Sequence, residues 1–301
     1  MIALLIKRDI YDLSLPHRAV SVYTRFPEIT PTNCQIIYND AESGLPLAIM
    51  DATWITEVRT PATALVSIKY GADPGVTTFG MFGCGIQGRA NVSMIETTLK
   101  NLETIYIYDI FESAMDRLIK ECQPKVKAKI VKAKSYEELA KSAQVITSAL
   151  PIAHKPEPPV KSEWIGKGQT IVCLDCHTVY EDGVYKKADK YYMDSIEQHE
   201  LLIGYGYYPY GLPTITGETG ALAAGKVPGR ASKDELLVMD EIVSPQLHRA
   251  LLALTDEERE LVLLHVVDGL PLKLLAALRG KPYDTIKKSY GRAIGRLKNY
   301  F

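Results

Sequence analysis

The chain predicts an α/β fold built on a doubly wound parallel sheet, with an all-helical module after it. Three observations carry that expectation. From Thr77 to about residue 240, short β-type runs alternate with helical ones, the pattern of successive βαβ units. Within that stretch Gly83, Gly85 and Gly88 give G-x-G-x-x-G after a strand and at the opening of a helix, the setting of a Rossmann-type domain. Beyond about residue 245 the strand pattern stops and three helical patterns follow.

Taken in order, "CQIIYNDAESGLPLAIM" at 34–50 reads as a hairpin, two apolar runs around a turn-rich centre. "DATWITEVRTPATALVSIKYGA" has apolar residues at helical spacing and a cap at Asp51 or Thr53. Pro61 is expected to kink or restart that helix. The alternating region then runs "TTFGMF", a helix from about Gln87 to Leu99, "TIYIYD", the helix "ESAMDRLIKEC", "AKIV", the helix "SYEELAKS", "QVITSAL", a proline-rich loop and "QTIVCLD". "KKADKYYMDS" adds one more strand, and "TGETGALAAGK" reads as a short helix ended by Gly225. The last patterns are "LTDEERELVLLHVVDG", "PLKLLAALRG" and "PYDTIKKSYGRAIGRLKNYF", joined by glycine-containing turns. The expected divisions are 1–70, a partial α+β segment; 71–240, the Rossmann domain; and 245–301, the helical module.

With 301 residues the chain has room for two or three modules. A net charge of −1 gives no global reason to expect nucleic acid, so a basic region has to be local. Five cysteines, an odd number without framework spacing, point to a reducing compartment. The opening "MIALLIKRDIYDL" is too short an apolar run for a signal peptide or a membrane span. The expected location is therefore the cytoplasm. Cys173 and Cys176 form C-x-x-C, but no second pair exists, so no metal site is expected. The cluster "YGYYPYG" at 205–211 reads as a loop.

The glycine cluster has a physical use. Gly83 permits a tight turn, Gly85 lets backbone N–H groups approach a pyrophosphate, and Gly88 lets the helix pack close to the strand. The helix N-terminus then offers positive potential to phosphates. Asp109, at the end of the next strand, lies 24 residues after Gly85, near the ~20 residues expected before a ribose-binding acid. A carboxylate there accepts from both ribose hydroxyls and repels a 2′-phosphate, so NAD is favoured over NADP. A plain strand-to-helix turn, with Asp109 as a helix cap, is the alternative.

"GLPLAIMDATWITEVRT", "GMFGCGIQGRANV", "VITSALP" and "ETGALAAGKVPGR" together resemble the ornithine cyclodeaminase/mu-crystallin family over about residues 34–240. The resemblance implies NAD(P)-dependent chemistry at the amine-bearing carbon of amino acids. It also implies a second domain that forms a homodimer interface and part of the active site, here the partial segment 1–70. By the same resemblance Arg59 is a catalytic residue that holds the substrate carboxylate, for which its guanidinium fork is suited. Ile86 and Gln87 match diphosphate positions, Asp109 the ribose acid, and Thr147 and Ser148 positions along the cofactor's ribose and ring. Cyclodeaminases of the family carry an aspartate near the position of His177, so His177 argues against ornithine cyclodeamination. It is the candidate proton carrier, as an imidazole that titrates near neutral pH; the alternative is a histidine that only bonds its own loop. The resemblance also implies a catalytic lysine near Val20–Tyr23, where "VSVY" holds none, so that Arg18, Arg25 or His177 would have to stand in for it.

The C-terminal stretch resembles region 4 of bacterial sigma factors and related helix-turn-helix modules over about residues 250–298. Ala276 would sit at the helix crossing, Gly280 at the turn and Ile286 in the interior. Residues 270–301 hold eight lysines and arginines against one acid, Asp284. Thr285, Lys287, Lys288 and Arg292 are the candidate nucleic-acid contacts. A basic, solvated three-helix bundle that serves dimerisation is the alternative. The first functional expectation is an NAD-dependent oxidoreductase acting on an amino acid or imino acid, by ketimine reductase, amino-acid dehydrogenase or opine-like chemistry. The other is an NAD-sensing DNA-binding regulator, or a catalytically impaired fusion.

Overall fold

The computed structural model describes residues 7–8, 17–24, 33–40, 46–152, 156–204, 208, 210–241, 261 and 271–299. The chain divides into two compact units, Met1–Arg59 with Pro245–Tyr300, and Thr60–Ser244. The division falls inside a helix after Arg59, where the sequence suggests a boundary near residue 70.

In the first unit, β1 (Lys7–Arg8), β2 (His17–Thr24), β3 (Asn33–Asp40) and β4 (Pro46–Asp51) form an antiparallel sheet in that order. β3 and β4 are the expected hairpin. Val20–Tyr23 lies in β2. Helix α1 (Thr53–Gly71) starts where the Asp51 carboxylate accepts from the Thr53 amide at 2.8 Å, the expected cap. α1 runs through Pro61 as one helix and does not restart. Proline loses one backbone bond there, but Pro61 lies on the buried face with Ala64, Leu65 and Ile68. Burying that stripe offsets the lost bond.

The second unit is an eight-stranded, fully parallel sheet. Its strands are β5 (Thr78–Phe82), β6 (Thr104–Tyr108), β7 (Lys129–Lys132), β8 (Val145–Ser148), β9 (Thr170–Cys173), β10 (Lys190–Met193), β11 (Gly217–Glu218) and β12 (Leu237–Asp240). Their order is β11-β10-β12-β9-β8-β5-β6-β7. The order turns back between β5 and β8, which defines a topological switch point, where open α/β sheets bind ligands. Helices α2 (Ile86–Met94), α3 (Glu112–Cys122), α4 (Tyr136–Ser142), α5 (Asp182–Lys186), α6 (Ile196–Gly204) and α7 (Thr219–Ala223) connect the strands. α2 ends earlier than expected and passes into a 3-10 turn at Ile95–Thr97. Two apolar clusters hold the sheet. One contains Ile68, Phe79, Met81, Ile105, Leu118 and Met239. The other contains Phe82, Leu139, Ile146, Ile171, Tyr185 and Val238. The near-continuous apolar runs of β8, β9 and β12, buried at every position, are those of strands covered on both faces. α6, β11 and β12 went unread in the sequence.

The first expected C-terminal helix lies outside the described residues except at Leu261. The other two are α8 (Leu272–Leu278) and α9 (Tyr283–Asn299). Leu261, Leu275, Ala276 and Ile286 are buried together, and Gly280 turns the chain with φ +60°. Among the described residues no helix is long and apolar enough to cross a membrane.

Candidate functional site

The strand register aligns one row at the carboxyl edge of the parallel sheet: Tyr108, Phe82, Ser148, Cys173, Asp240, Met193 and Glu218. The candidate site lies along and beside that row.

The glycine loop follows Phe82. Gly83 has φ +91°, and a Cβ there would come within 2.7 Å of the Ala149 carbonyl oxygen. A Cβ on Gly88 would lie 1.9 Å from the Gly83 carbonyl oxygen, so the first turn of α2 closes on the loop only through glycine. Gly85 differs from both: nothing stands within 4 Å of where its Cβ would be. It caps α2 without a side-chain bond, which leaves the amides of the first turn to an external acceptor. Asp109 reaches this loop. Its Oδ2 accepts from the Cys84 amide at 2.8 Å and its Oδ1 from the Phe111 amide at 3.0 Å. A carboxylate has about four acceptor positions, so these bonds orient Asp109 and leave lone pairs for ribose hydroxyls.

Ile86 is exposed at the helix start. Gln87 Oε1, Thr147 Oγ1 and Ser148 Oγ are buried with no hydrogen-bond partner. Orphaned buried polar atoms cost ~1–3 kcal/mol each, and three of them beside an open glycine cradle fit a polar ligand. These residues therefore suit a dinucleotide.

The second half of the site lies around β9, β10 and β12. After β9, Cys176 and His177 both have positive φ, +50° and +60°, a strained pair for residues with side chains. The imidazole is held inside: His177 is 5% exposed and its ring stacks on Tyr185 at 3.5 Å between centroids. His177 Nε2 is 3.0 Å from the Tyr191 hydroxyl and 3.2 Å from Asp240 Oδ2. Tyr191 donates to the same Oδ2 at 2.7 Å. His177 therefore bonds across to β10 and β12, and is not confined to its own loop.

Asp240 is fully buried. Burial alone would raise its pKa, yet the hydrogen bond from His177 and the pairing with His199 hold it well below the carboxylate range. Asp175 is buried too, and neither oxygen has a partner in bonding geometry, although Ser148 and the Leu150 and Thr178 amides are its polar neighbours. Desolvation pushes its pKa up to about 7, with the nearby Asp240 charge adding to the rise. Glu241 follows Asp240; it accepts from Thr219 at 2.8 Å and from Ser67 of α1, while its Oε2 is orphaned. Burial and the Asp194 charge push it up to about 8. Cys173 and Cys176 are buried free thiols, and among the described residues no His, Cys, Asp or Glu cluster is arranged to hold a metal ion.

Of the residues singled out in the sequence, the fold brings Gly83, Gly85, Ile86, Gln87, Gly88, Asp109, Thr147 and Ser148 to the edge of β5, β6 and β8. His177 lies past β9 on the same edge, and Arg59 belongs to the other unit. Tyr191, His199, Asp240, Glu241 and Asp175 were missed. The acid pair that closes the apolar run "LLVMDE" was the available signal for two of them.

A parallel sheet of this strand order, with its glycine loop and acid at the switch point, defines a Rossmann-type α/β protein. The chain belongs to the ornithine cyclodeaminase/mu-crystallin family, whose model matches residues 25–242. It is 24% identical over 214 residues to N-((2S)-2-amino-2-carboxyethyl)-L-glutamate dehydrogenase of Staphylococcus aureus, covering 68% of this chain and 62% of the relative. It is 28% identical over 219 residues to alanine dehydrogenase of Archaeoglobus fulgidus, covering 68% and 64%. The matched region is thus under two thirds of the length of these curated relatives. Among solved structures, Δ1-pyrroline-2-carboxylate reductase of Thermococcus litoralis, in complex with NADH and L-proline, superposes with a TM-score of 0.65 at 22% identity, covering 80% of this chain and 82% of that one. An archaeal alanine dehydrogenase dimer with bound NAD gives 0.64 at 21% identity, covering 80% of each. At these identities the structural likeness establishes the fold.

Proposed function

We propose that the chain binds NAD at the glycine loop and is an oxidoreductase acting on the amine-bearing carbon of an amino acid or on the corresponding imine. The observation that carries this is the open space at Gly85, beside an Asp109 carboxylate already bonded to the loop amide of Cys84. When bound, the nicotinamide accepts or supplies the hydride. The protein's own residues do the rest. The amides of α2's first turn hold the diphosphate, and Asp109 takes the ribose hydroxyls and disfavours a 2′-phosphate. Thr147 and Ser148 satisfy their orphaned hydroxyls on the cofactor. Arg59 supplies the bidentate fork a carboxylate needs, and His177 carries the proton that leaves or joins the nitrogen. With no lysine at Val20–Tyr23, turnover depends on that imidazole. A homodimer is part of the proposal: β4 is an edge strand whose Leu47 and Ile49 are 53% and 67% exposed, with Trp54 at 70% just beyond, an apolar patch that suits a second copy. The proposed compartment is the cytoplasm, where buried free thiols persist.

Two measurements test this. NADH oxidation is followed with ammonia and small 2-oxo acids, and with cyclic imines; tight NADH binding without turnover on any of them removes the enzymatic reading. In Asp109→Ala, NADH affinity falls by about 10- to 100-fold, the size of charge-assisted bonds, and the preference over NADPH narrows. Equal affinity in the variant refutes the assigned ribose contact.

A second reading is kept for the C-terminal helices because of one observation. Lys287, Lys288 and Arg292 are exposed on α9, and the turn at Gly280 joins α9 to α8. Such a surface suits the phosphates of duplex DNA, with Thr285 near the helix start. Duplex binding that falls steeply with salt, and is lost in Lys287→Glu/Arg292→Glu, is the expected result. No binding at low salt leaves the helices a structural role.

A further inference from the structure

His199 was invisible in the sequence, yet it shares the carboxylate that His177 uses. It sits on α6, fully buried, with Nδ1 2.8 Å from the Ser195 carbonyl oxygen and 3.6 Å from Asp194 Oδ1. A carbonyl only accepts, so Nδ1 carries a hydrogen. The other nitrogen, Nε2, faces Asp240 Oδ2 at 3.7 Å and has no hydrogen-bond partner. Neutral, that nitrogen would turn a lone pair towards a buried anion; protonated, it pairs with it. Carboxylates on two sides, Asp194 and Asp240, therefore favour the imidazolium.

The Asp240 carboxylate needs a counter-charge, because a bare buried anion is costly. Among the described residues the other candidate is His177, whose Nε2 is nearer at 3.2 Å; but Asp240 is the one carboxylate it pairs with, whereas His199 faces two. The thiols of Cys173 and Cys176 and the phenols of Tyr185, Tyr191 and Tyr208 are all held protonated and neutral by burial. Asp175 and Glu241 could only add negative charge. With one proton on His199 the Asp240–His199 pair is neutral, and a second on His177 would leave a net positive charge in a dry site. His177 Nε2, facing Asp240 Oδ2 and the Tyr191 oxygen, is then the donor nitrogen of a neutral ring, and Nδ1 holds the lone pair.

We propose that Asp240 and His199 are positioning residues for His177: a buried ion pair that keeps the His177 ring neutral in its Nε2–H form, so that Nδ1 is the atom that takes the proton. Burial opposes charge on His199, but the Asp240 and Asp194 carboxylates outweigh it and raise its pKa. The use of this arrangement in turnover rests on the oxidoreductase reading; its protonation pattern does not.

The test is side-chain nitrogen NMR of the full chain labelled with 15N-histidine. Signals are assigned from His177→Asn and His199→Gln. At about pH 7.5, a pH unit above the free imidazole, His199 is expected to carry hydrogen on both nitrogens and His177 on Nε2 alone. In Asp240→Asn the His199 midpoint falls by at least about one pH unit. Should that variant fail to fold, His199→Gln serves: Asp240 loses its cation, and at the same pH the His177 ring gains its second hydrogen. A neutral His199 in the parent at that pH, an Nδ1–H form of His177, an unmoved His199 midpoint in folded Asp240→Asn, or a neutral His177 in folded His199→Gln overturns the proposal. The pattern found in a chain that never turns over NADH removes the enzymatic reading and leaves this one standing; normal turnover with the wrong pattern does the reverse.

Discussion

Gly88→Ala is expected to cost the protein both its coenzyme and much of its stability. The added methyl carbon would stand 1.9 Å from the Gly83 carbonyl oxygen and 3.0 Å from its carbon, far inside contact distance, and the obstacle is backbone. Relief requires α2 to back away from β5, a movement that costs roughly 1–3 kcal/mol and lowers the melting midpoint by roughly 2–10 °C for a chain this long. Gly85→Ala separates the two effects. Its backbone has φ −69° and no atom lies within 4 Å of the new carbon, so the fold is expected to hold, with a change under about 1 kcal/mol. The methyl instead occupies the approach to the amides of the first helical turn, and NADH affinity falls by at least about 100-fold. Calorimetry and a melting curve on both variants check this. NADH bound equally well by Gly85→Ala would sink the assignment of the loop.

Glu241→Gln is expected to stabilise the protein, and only at high pH. The Glu241 carboxyl is 2% exposed and its pKa is raised from 4.5 to about 8, chiefly by burial. Because the folded value is the higher one, the folded state keeps the proton while the unfolded chain loses it. Below the unfolded value both states are protonated and the group is neutral to stability. Between the two values the unfolded chain binds fewer protons, so stability falls as pH rises, and the loss is complete above the folded value. A gap of that size corresponds to on the order of 5 kcal/mol. Glutamine mimics the protonated acid: its carbonyl keeps the Ser67 and Thr219 bonds, and it cannot ionise. Denaturant midpoints of parent and variant should coincide near pH 4.5 and diverge steadily towards pH 8 and above, with the variant the more stable. Parallel curves across that range would show that Glu241 is ionised in the folded protein.

The sheet was legible because its determinants are local. Runs such as "TIVC" and "VITS" carry no charge and are buried at every position, the pattern of a strand covered on both faces. The glycine loop was legible as a spacing: Gly88 answers a contact with nearby Gly83, whereas the contact that Gly83 answers, with Ala149, comes from just past β8. α1 shows where local rules stop: Pro61 signals a break, yet the buried stripe from Thr60 to Gly71 carries the helix through. β12 shows the same limit from the other side. "LLVMD" is a short apolar run that reads as strand or helix, and pairing with β9 and β10 makes it a strand in the middle of the sheet.

The sequence by itself determined the alternation of strands and helices, the glycine loop with the acid that bonds to it, and the basic character of the last thirty or so residues. Only the tertiary structure decided that His177, Tyr191, His199 and Asp240, drawn from four separate stretches of chain, share one buried carboxylate. The reason is physical. A glycine's conformation or a strand's pattern is set by neighbours along the chain, whereas the charge state of a buried group depends on what other segments deliver to within a few ångströms of it and on the water they exclude.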